Sequence, residues 1–139
     1  MFRIKIIQVG KMKNGPLKEQ SDELLKRLGS YAKIKSVIVK ELSEEILKQD
    51  GFTLLLSEDG KTMDSIEFAN ALPRWSEQEQ KELTFIIAGP FGFDRTLLKH
   101  VDFSLSLSPL TFPHELAYVV LLEQLYRAGT ILAGKTYHY

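Results

Sequence analysis

The sequence predicts an α/β protein built on a parallel sheet with helices on both faces. Three observations predict it. Two short runs, Phe52-Thr53-Leu54-Leu55-Leu56 and Leu83-Thr84-Phe85-Ile86-Ile87-Ala88, are almost wholly apolar, as strands covered on both faces are. Segments with helical stripes of apolar residues separate these strand-like runs, and such alternation marks a parallel sheet. The chain has 139 residues, 44% hydrophobic and 26% charged, ordinary values for one domain. A domain of that size buries roughly two-thirds of its unfolded surface. One domain spanning 1–139 is expected, since no repeat, low-complexity segment or linker divides the chain.

The elements follow in order. Phe2 to Val9 reads as a strand ended by Gly10. Pro16 suits the first turn of a helix whose buried stripe is Leu17, Leu24, Leu25 and Leu28, and Gly29 closes it. Lys33 to Lys40 alternates around Ile34, Val37 and Val39, giving a second strand. Ser43, with Glu44 and Glu45 behind it, caps a short helix reaching Lys48. After the strand at Phe52 to Leu56, the stretch Leu56-Ser57-Glu58-Asp59-Gly60-Lys61 reads as a loop. Asp64 or Ser65 opens a helix carrying Ile66, Phe68, Ala69 and Leu72, which Pro73 kinks or ends. The strand beginning at Leu83 stops at Gly89-Pro90, a helix runs from about Arg95 to Lys99, and a strand covers Phe103 to Leu107. The last long helix starts near His114, behind Pro113, and reaches about Leu132.

Charge and composition exclude several classes of function. Eighteen basic and eighteen acidic residues give a net charge of zero, but the zero is a cancellation. Residues 1–40 hold ten lysines and arginines against three acidic residues, a net of +7, and residues 41–83 hold four against eleven, a net of −7. A basic block of that extent attracts polyanions such as RNA, or else meets the acidic block in a dimer or simply stays solvated. No cysteine is present, so a disulfide framework, a thiolate metal site and a thiol nucleophile are excluded. No apolar run approaches the roughly 20 residues of a membrane-spanning helix. Met1-Phe2-Arg3-Ile4-Lys5 alternates apolar and basic residues, unlike a signal peptide, and a cytoplasmic protein is expected. No metal-ligand cluster, Ser/His/Asp spacing or paired-carboxylate motif stands out, and no metal is expected.

In open parallel sheets ligands bind beyond the carboxyl ends of the strands. Three loops leave such ends: 56–61, 88–92 and 106–114. Gly89 and Gly92 fit no dinucleotide or P-loop pattern, and a glycine pair alone reads equally well as a tight turn. The third loop is stiffened by Pro109 and Pro113 and ends at His114, at a helix start. The helix behind it is apolar nearly all round, so it buries more than one face, and a second copy of the chain is the simple candidate to cover it. Glu123 and Arg127 are spaced as a weak surface pair worth about 0.2–0.5 kcal/mol. The tail Thr136-Tyr137-His138-Tyr139 carries side chains that stack on bases and exchange protons, or simply pack on a neighbour. His100, without such company, reads as a solvent-facing helix residue.

Taken in order, Val9-Gly10-Lys11, Leu56-Ser-Glu-Asp-Gly60-Lys61, Phe85-Ile-Ile-Ala-Gly89-Pro-Phe-Gly92, Leu105-Ser-Leu-Ser-Pro-Leu-Thr111-Phe-Pro113-His114, Leu122-Glu-Gln-Leu-Tyr-Arg127-Ala128 and Tyr137-His138 resemble one family over the whole chain. It is the bacterial large-subunit (23S) ribosomal RNA pseudouridine N3-methyltransferase family of the SPOUT superfamily. The resemblance implies a SPOUT-type parallel sheet flanked by helices with a C-terminal trefoil knot, a rare exception to the unknotted-chain rule. It implies a homodimer packed through the knot and acting on 23S ribosomal RNA within the assembled ribosome. It implies S-adenosylmethionine as methyl donor, held by Leu56, Gly89 and the stretch Ser108, Pro109, Leu110, Thr111, Phe112 and Pro113. His114, Arg127, Tyr137 and His138 are the implied catalytic residues. The tail of one subunit is expected to close over the cofactor loop of the other, with Arg127 stabilising the anionic base or a phosphate and His114 or His138 assisting the N3 proton. Tyr118 stands where the family usually has an arginine, and Tyr139 where a basic residue is common, which leaves two fewer cations to face RNA. The competing readings are a SPOUT methyltransferase for another RNA site, a non-catalytic RNA-binding relic, and a flavodoxin-like small-ligand protein.

Overall fold

Strands β1 (Phe2–Val9), β2 (Ala32–Val39), β3 (Phe52–Thr62), β4 (Leu83–Ile87) and β5 (Phe103–Ser106) carry the alternating and all-apolar patterns of the sequence. They form one parallel sheet in the order β2-β1-β4-β3-β5 in a computed structural model that describes residues 1–137. All five residues of β4 are buried because this strand lies between β1 and β3 and both of its faces are covered. The fold is thus the expected α/β sheet flanked by helices.

Period-two alternation divides the strand residues between two cores. Ile4, Ile6, Leu54, Leu83 and Phe85 face helices α1 (Pro16–Leu28), α3 (Ser65–Trp75) and α4 (His114–Leu132). Ile7, Leu55 and Ile86 face the other way, onto Leu47 of the short helix α2 (Glu44–Leu47) and the partly buried Leu97 and Val101 around the 3-10 helix Arg95–His100. Helix α4 lies between α1 and α3 and packs on both, burying Tyr118, Leu121, Leu122, Leu125 and Ala128. The Tyr118 hydroxyl is 2.8 Å from Ser36 Oγ, so position 118 faces the core and β2, where it is not available to RNA.

Local signals set the helix ends. Ser43 Oγ accepts from the Ile46 amide, and Asp64 and Glu67 form a reciprocal capping box at α3. Pro73 sits inside the last turn of α3, and the helix runs on two residues to Trp75. The Trp75 ring packs against Phe52 and Phe103, with centroids 5.9 and 5.0 Å away, fixing the end of α3 over β3 and β5.

Three expectations need correction. The segment 56–61 is no free loop: β3 continues to Thr62, and its register against β5 slips so that both Leu56 and Lys61 oppose Leu105. The intervening residues bulge out of the ladder, and a bulge erases the period-two pattern by which a strand is recognised. The segment at Arg95 is a 3-10 helix that reaches His100. The His100 side chain is only 16% exposed and its Nε2 lies 3.4 Å from Glu44 of α2, so it faces the second core's rim and not open solvent.

Gly60 closes the bulge. A Cβ there would stand 2.6 Å from the Ser104 carbonyl oxygen, a backbone atom that cannot swing aside. Gly60→Ala is expected to destabilise the fold by about 1–3 kcal/mol, read as a lower urea midpoint at unchanged m-value.

Candidate functional site

The carboxyl ends of β3, β4 and β5 open into a cavity of about 740 Å³. Each wall comes from a different part of the sequence. The β3 bulge supplies Ser57, Glu58 and Asp59, the end of β4 supplies Ile87 to Pro90, and the segment between β5 and α4 supplies Leu107, Ser108 and Leu110 to His114. Strand order brings these walls together, since β3 lies between β4 and β5.

The local structure of each wall follows from its residues. Gly92 donates its amide to the Gly89 carbonyl at 3.0 Å, so residues 89–92 form a tight turn, as the glycine pair allows. Gly89 also lies against β1: a Cβ on it would be 2.9 Å from Val9 Cγ1. In the prolyl segment the Leu110 amide donates to Ser108 Oγ at 3.0 Å, leaving Leu110 exposed at the mouth. Of the residues implied to hold a cofactor, Leu56, Gly89, Ser108, Leu110, Thr111, Phe112 and Pro113 line the cavity. Pro109 is exposed and is not part of the lining; it shapes the turn between Ser108 and Leu110.

The three implied catalytic residues that the structure describes, His114, Arg127 and Tyr137, divide between two places. His114 is on the cavity wall, at the first turn of α4, and its Nε2 is buried without a hydrogen-bond partner among the described residues. That ring lies over the end of β1, where a Cβ on Gly10 would be 3.8 Å from Nε2. Arg127 is thirteen residues further along the same helix, about 20 Å at 1.5 Å per residue. There its guanidinium stands 4.8 Å from the Tyr137 ring centroid. Tyr137 donates its hydroxyl to Glu123 Oε1 at 2.5 Å and packs edge-on against Tyr126, which in turn meets Tyr31. The hydrogen bond to the Glu123 carboxylate, and then burial, push the Tyr137 hydroxyl above its ordinary pKa, so at neutral pH it is a proton donor and no base. His138 and Tyr139 lie outside the described residues.

Sequence reasoning missed Phe93, Arg95, Leu98, Ser104 and Ala117, which also line the cavity. The apolar Phe93 directly after Gly92 was the one available signal. Tyr31 was missed as a partner of the tail because it reaches Tyr126 from the turn before β2. Among the described residues no group of three or more histidines and carboxylates is arranged to hold a metal ion, and no helix is long and apolar enough to cross a membrane.

Residues 2–138 match the family model described as "Predicted SPOUT methyltransferase". A protein named Ribosomal RNA large subunit methyltransferase H from Thermodesulfovibrio yellowstonii is 40% identical, with 100% of both chains covered. Its namesake from Acetivibrio thermocellus is 38% identical, covering 99% of each chain. Among solved structures, a probable methylase family protein from Haemophilus influenzae Rd KW20 superposes with a TM-score of 0.61 at 10% identity, over 99% of this chain and 70% of that one. The SpoU methyltransferase AviRb from Streptomyces viridochromogenes gives 0.50 at 12% identity, over 98% of this chain and 62% of that one. At such identities the two structures speak for the fold alone.

Proposed function

The chain belongs to the SPOUT methyltransferase family, and on that premise we propose that it transfers the methyl group of S-adenosylmethionine to N3 of a pseudouridine in 23S ribosomal RNA. The proposed substrate is the assembled ribosome, and the proposed active form is a cytoplasmic homodimer of single-domain subunits. One observation carries the reading: the segments that resemble the methyltransferase motifs, far apart in sequence, wall a single cavity at the carboxyl ends of β3, β4 and β5. The full-length likeness to relatives named for ribosomal RNA methylation supports the substrate class.

The cavity fits the cofactor. Its volume of about 740 Å³ is within the usual 300–1,000 Å³ of small-molecule sites. Gly89 leaves the space where a side chain would crowd the turn, and Leu56, Ile87, Leu107 and Phe112 give the wall its apolar character. The backbone amides of Thr111 and Phe112 and the carbonyls of the stretch from Ser108 to Pro113 would hold the nucleoside, with Leu56 and Gly89 opposite them. Bound there, the cofactor supplies a methyl group that is already electrophilic.

The chain's residues then have two tasks. They hold the attacking N3 in line, and they take up the N3 proton and stabilise the negative charge it leaves on the base until N3 bonds the methyl carbon, which gives up its bond to sulfur. In this reading His114, whose Nε2 is buried and without a partner among the described residues, turns into the cavity to accept that proton, a role shared with His138. Arg127 meets the anionic base or an adjacent phosphate, and Tyr137, kept protonated by Glu123, packs beneath the guanidinium. Because His114 and Arg127 are about 20 Å apart along α4, a site using both takes them from two copies of the chain. The outer stripe of α4, which carries the half-buried Leu116 and Val120 in line with Arg127, supports that pairing. A C-terminal trefoil knot belongs to the same proposal. The course of α4 from the sheet edge at β5 back across to α1 supports it, as does the prolyl segment beside the β3 and β4 ends.

The deciding experiment is a methylation assay on ribosomes from a strain lacking the activity, with mass mapping of the modified nucleotide. Methyl on N3 of a pseudouridine is expected. Product on another nucleotide replaces the substrate, and cofactor binding without product identifies a relic. In the same assay, alanine at His114, Arg127, Tyr137 or His138 is expected to lower turnover about 100-fold or more while calorimetry finds cofactor affinity within about threefold of the parent.

A further inference from the structure

The ten cations of residues 1–40 are not equivalent. Lys5, Lys18 and Arg27 lie near Glu82, Asp22 and Glu23, and Arg3 donates to the Gln80 carbonyl. Lys11, Lys13, Lys26, Lys33, Lys35 and Lys40 are exposed, and none makes an ion pair or side-chain hydrogen bond among the described residues. Of these six, Lys11, Lys13 and Lys40 share a position. The Gly10 amide donates to the Val39 carbonyl at 3.0 Å, which places Lys11 and Lys40 at adjoining strand ends. Gly10 lies under His114, and Val9 lies against Gly89, so this edge borders the cavity wall.

The loop that carries them is fastened at three points. Gly10 takes a positive φ of 93°, which turns the chain sharply out of β1. Met12 is 7% exposed and plugs into the main core beside Ser21. The Lys13 amide donates to Glu115 Oε1 at 3.3 Å, tying the loop to the first turn of α4 one residue beyond His114. With Met12 pointing inward, Lys11 and Lys13 are held outward on either side of it. Such a rigid cationic rim beside a cavity suits a strand of phosphates, where each lysine acts as a point charge and each contact releases counterions.

We infer that Lys11, Lys13 and Lys40 form the phosphate-binding rim that seats the substrate RNA strand over the His114 side of the cavity. The inference rests on the reading of the protein as an RNA methyltransferase. It assigns these lysines to RNA positioning and not to methyl transfer, so they act on KM and leave kcat alone.

The test compares Lys11→Ala, Lys13→Ala, Lys40→Ala and the triple variant with Lys33→Ala, an exposed lysine at the far end of β2. KM for ribosomes is measured as a function of salt, alongside cofactor affinity and binding to protein-free ribosomal RNA. Each rim substitution is expected to reduce the slope of log KM against log salt by about one unit, and the triple variant to raise KM roughly tenfold or more. Cofactor affinity, kcat at saturation and the Lys33→Ala values are expected to stay at parental level. Unchanged KM and slope in the triple variant overturn the inference while the parental activity stands. Lost cofactor affinity also overturns it, by making the loop a cavity support. Weakened binding to ribosomes with full binding to protein-free RNA overturns it in favour of an acidic ribosomal protein. A parental enzyme that methylates no ribosomal RNA removes the underlying reading itself.

Discussion

Gly89→Ala is expected to weaken S-adenosylmethionine binding about tenfold and methyl transfer about 100-fold, and adding Val9→Ala is expected to restore most of both. The cause is a single contact. Gly89 has an ordinary backbone conformation that any residue adopts, so no intrinsic strain forbids a side chain there. What forbids it is Val9, whose Cγ1 would be 2.9 Å and whose Cβ would be 3.2 Å from the new methyl group. Val9 is β-branched and pairs in register with Val39, so it has little freedom to turn away. The strain is therefore relieved on the other side, by displacement of the 89–92 turn into the cavity it walls. A shift of about 1 Å in a positioning element costs on the order of 100-fold in rate. Shortening Val9 removes the obstructing atom, which is why the double variant recovers. Isothermal calorimetry gives the binding values and the ribosome assay the rate. If Gly89→Ala binds the cofactor normally, or if Val9→Ala fails to rescue it, the turn does not hold the cofactor in the way proposed.

The parts of this site that were legible in the sequence share a physical property: they are local. Leu83 to Ile87 declares a strand covered on both faces because four of its five residues are large and apolar, and Pro113 followed by a long apolar run fixes the start of α4. Gly92, which takes a positive φ, and Pro109 and Pro113, whose rings fix φ, mark turns through their own dihedral angles. What was not legible depends on distant residues. The continuation of β3 through Ser57 to Thr62 requires β5, some forty residues later, as its pairing partner. His100 is sheltered by Glu44, more than fifty residues before it. The convergence of three loops on one cavity follows from the strand order β2-β1-β4-β3-β5, which no periodicity encodes. The placement of Arg127 was legible in a negative sense: a helix of known length puts it out of reach of His114, whatever the strand order.

That separation gives the second large prediction. His114→Ala and Arg127→Ala, each nearly inactive alone, are expected to regain about a quarter of parental activity when mixed, unfolded together and refolded. In a composite site His114 comes from one subunit and Arg127 from the other. A mixed dimer then contains one site lacking both side chains and one site with both intact. Random pairing makes about half of the dimers mixed, and half of the sites in those dimers work, which gives the quarter. If each chain instead assembled its own site by bending the tail back, every site in the mixture would lack one group and the mixture would stay inactive. The described structure argues against that route. Tyr137 is held at the Arg127 end by Glu123 and Tyr126, and the helix between Arg127 and His114 is continuous. A mixture that remains as inactive as its components, while each variant still dimerises and binds cofactor, would sink the shared site.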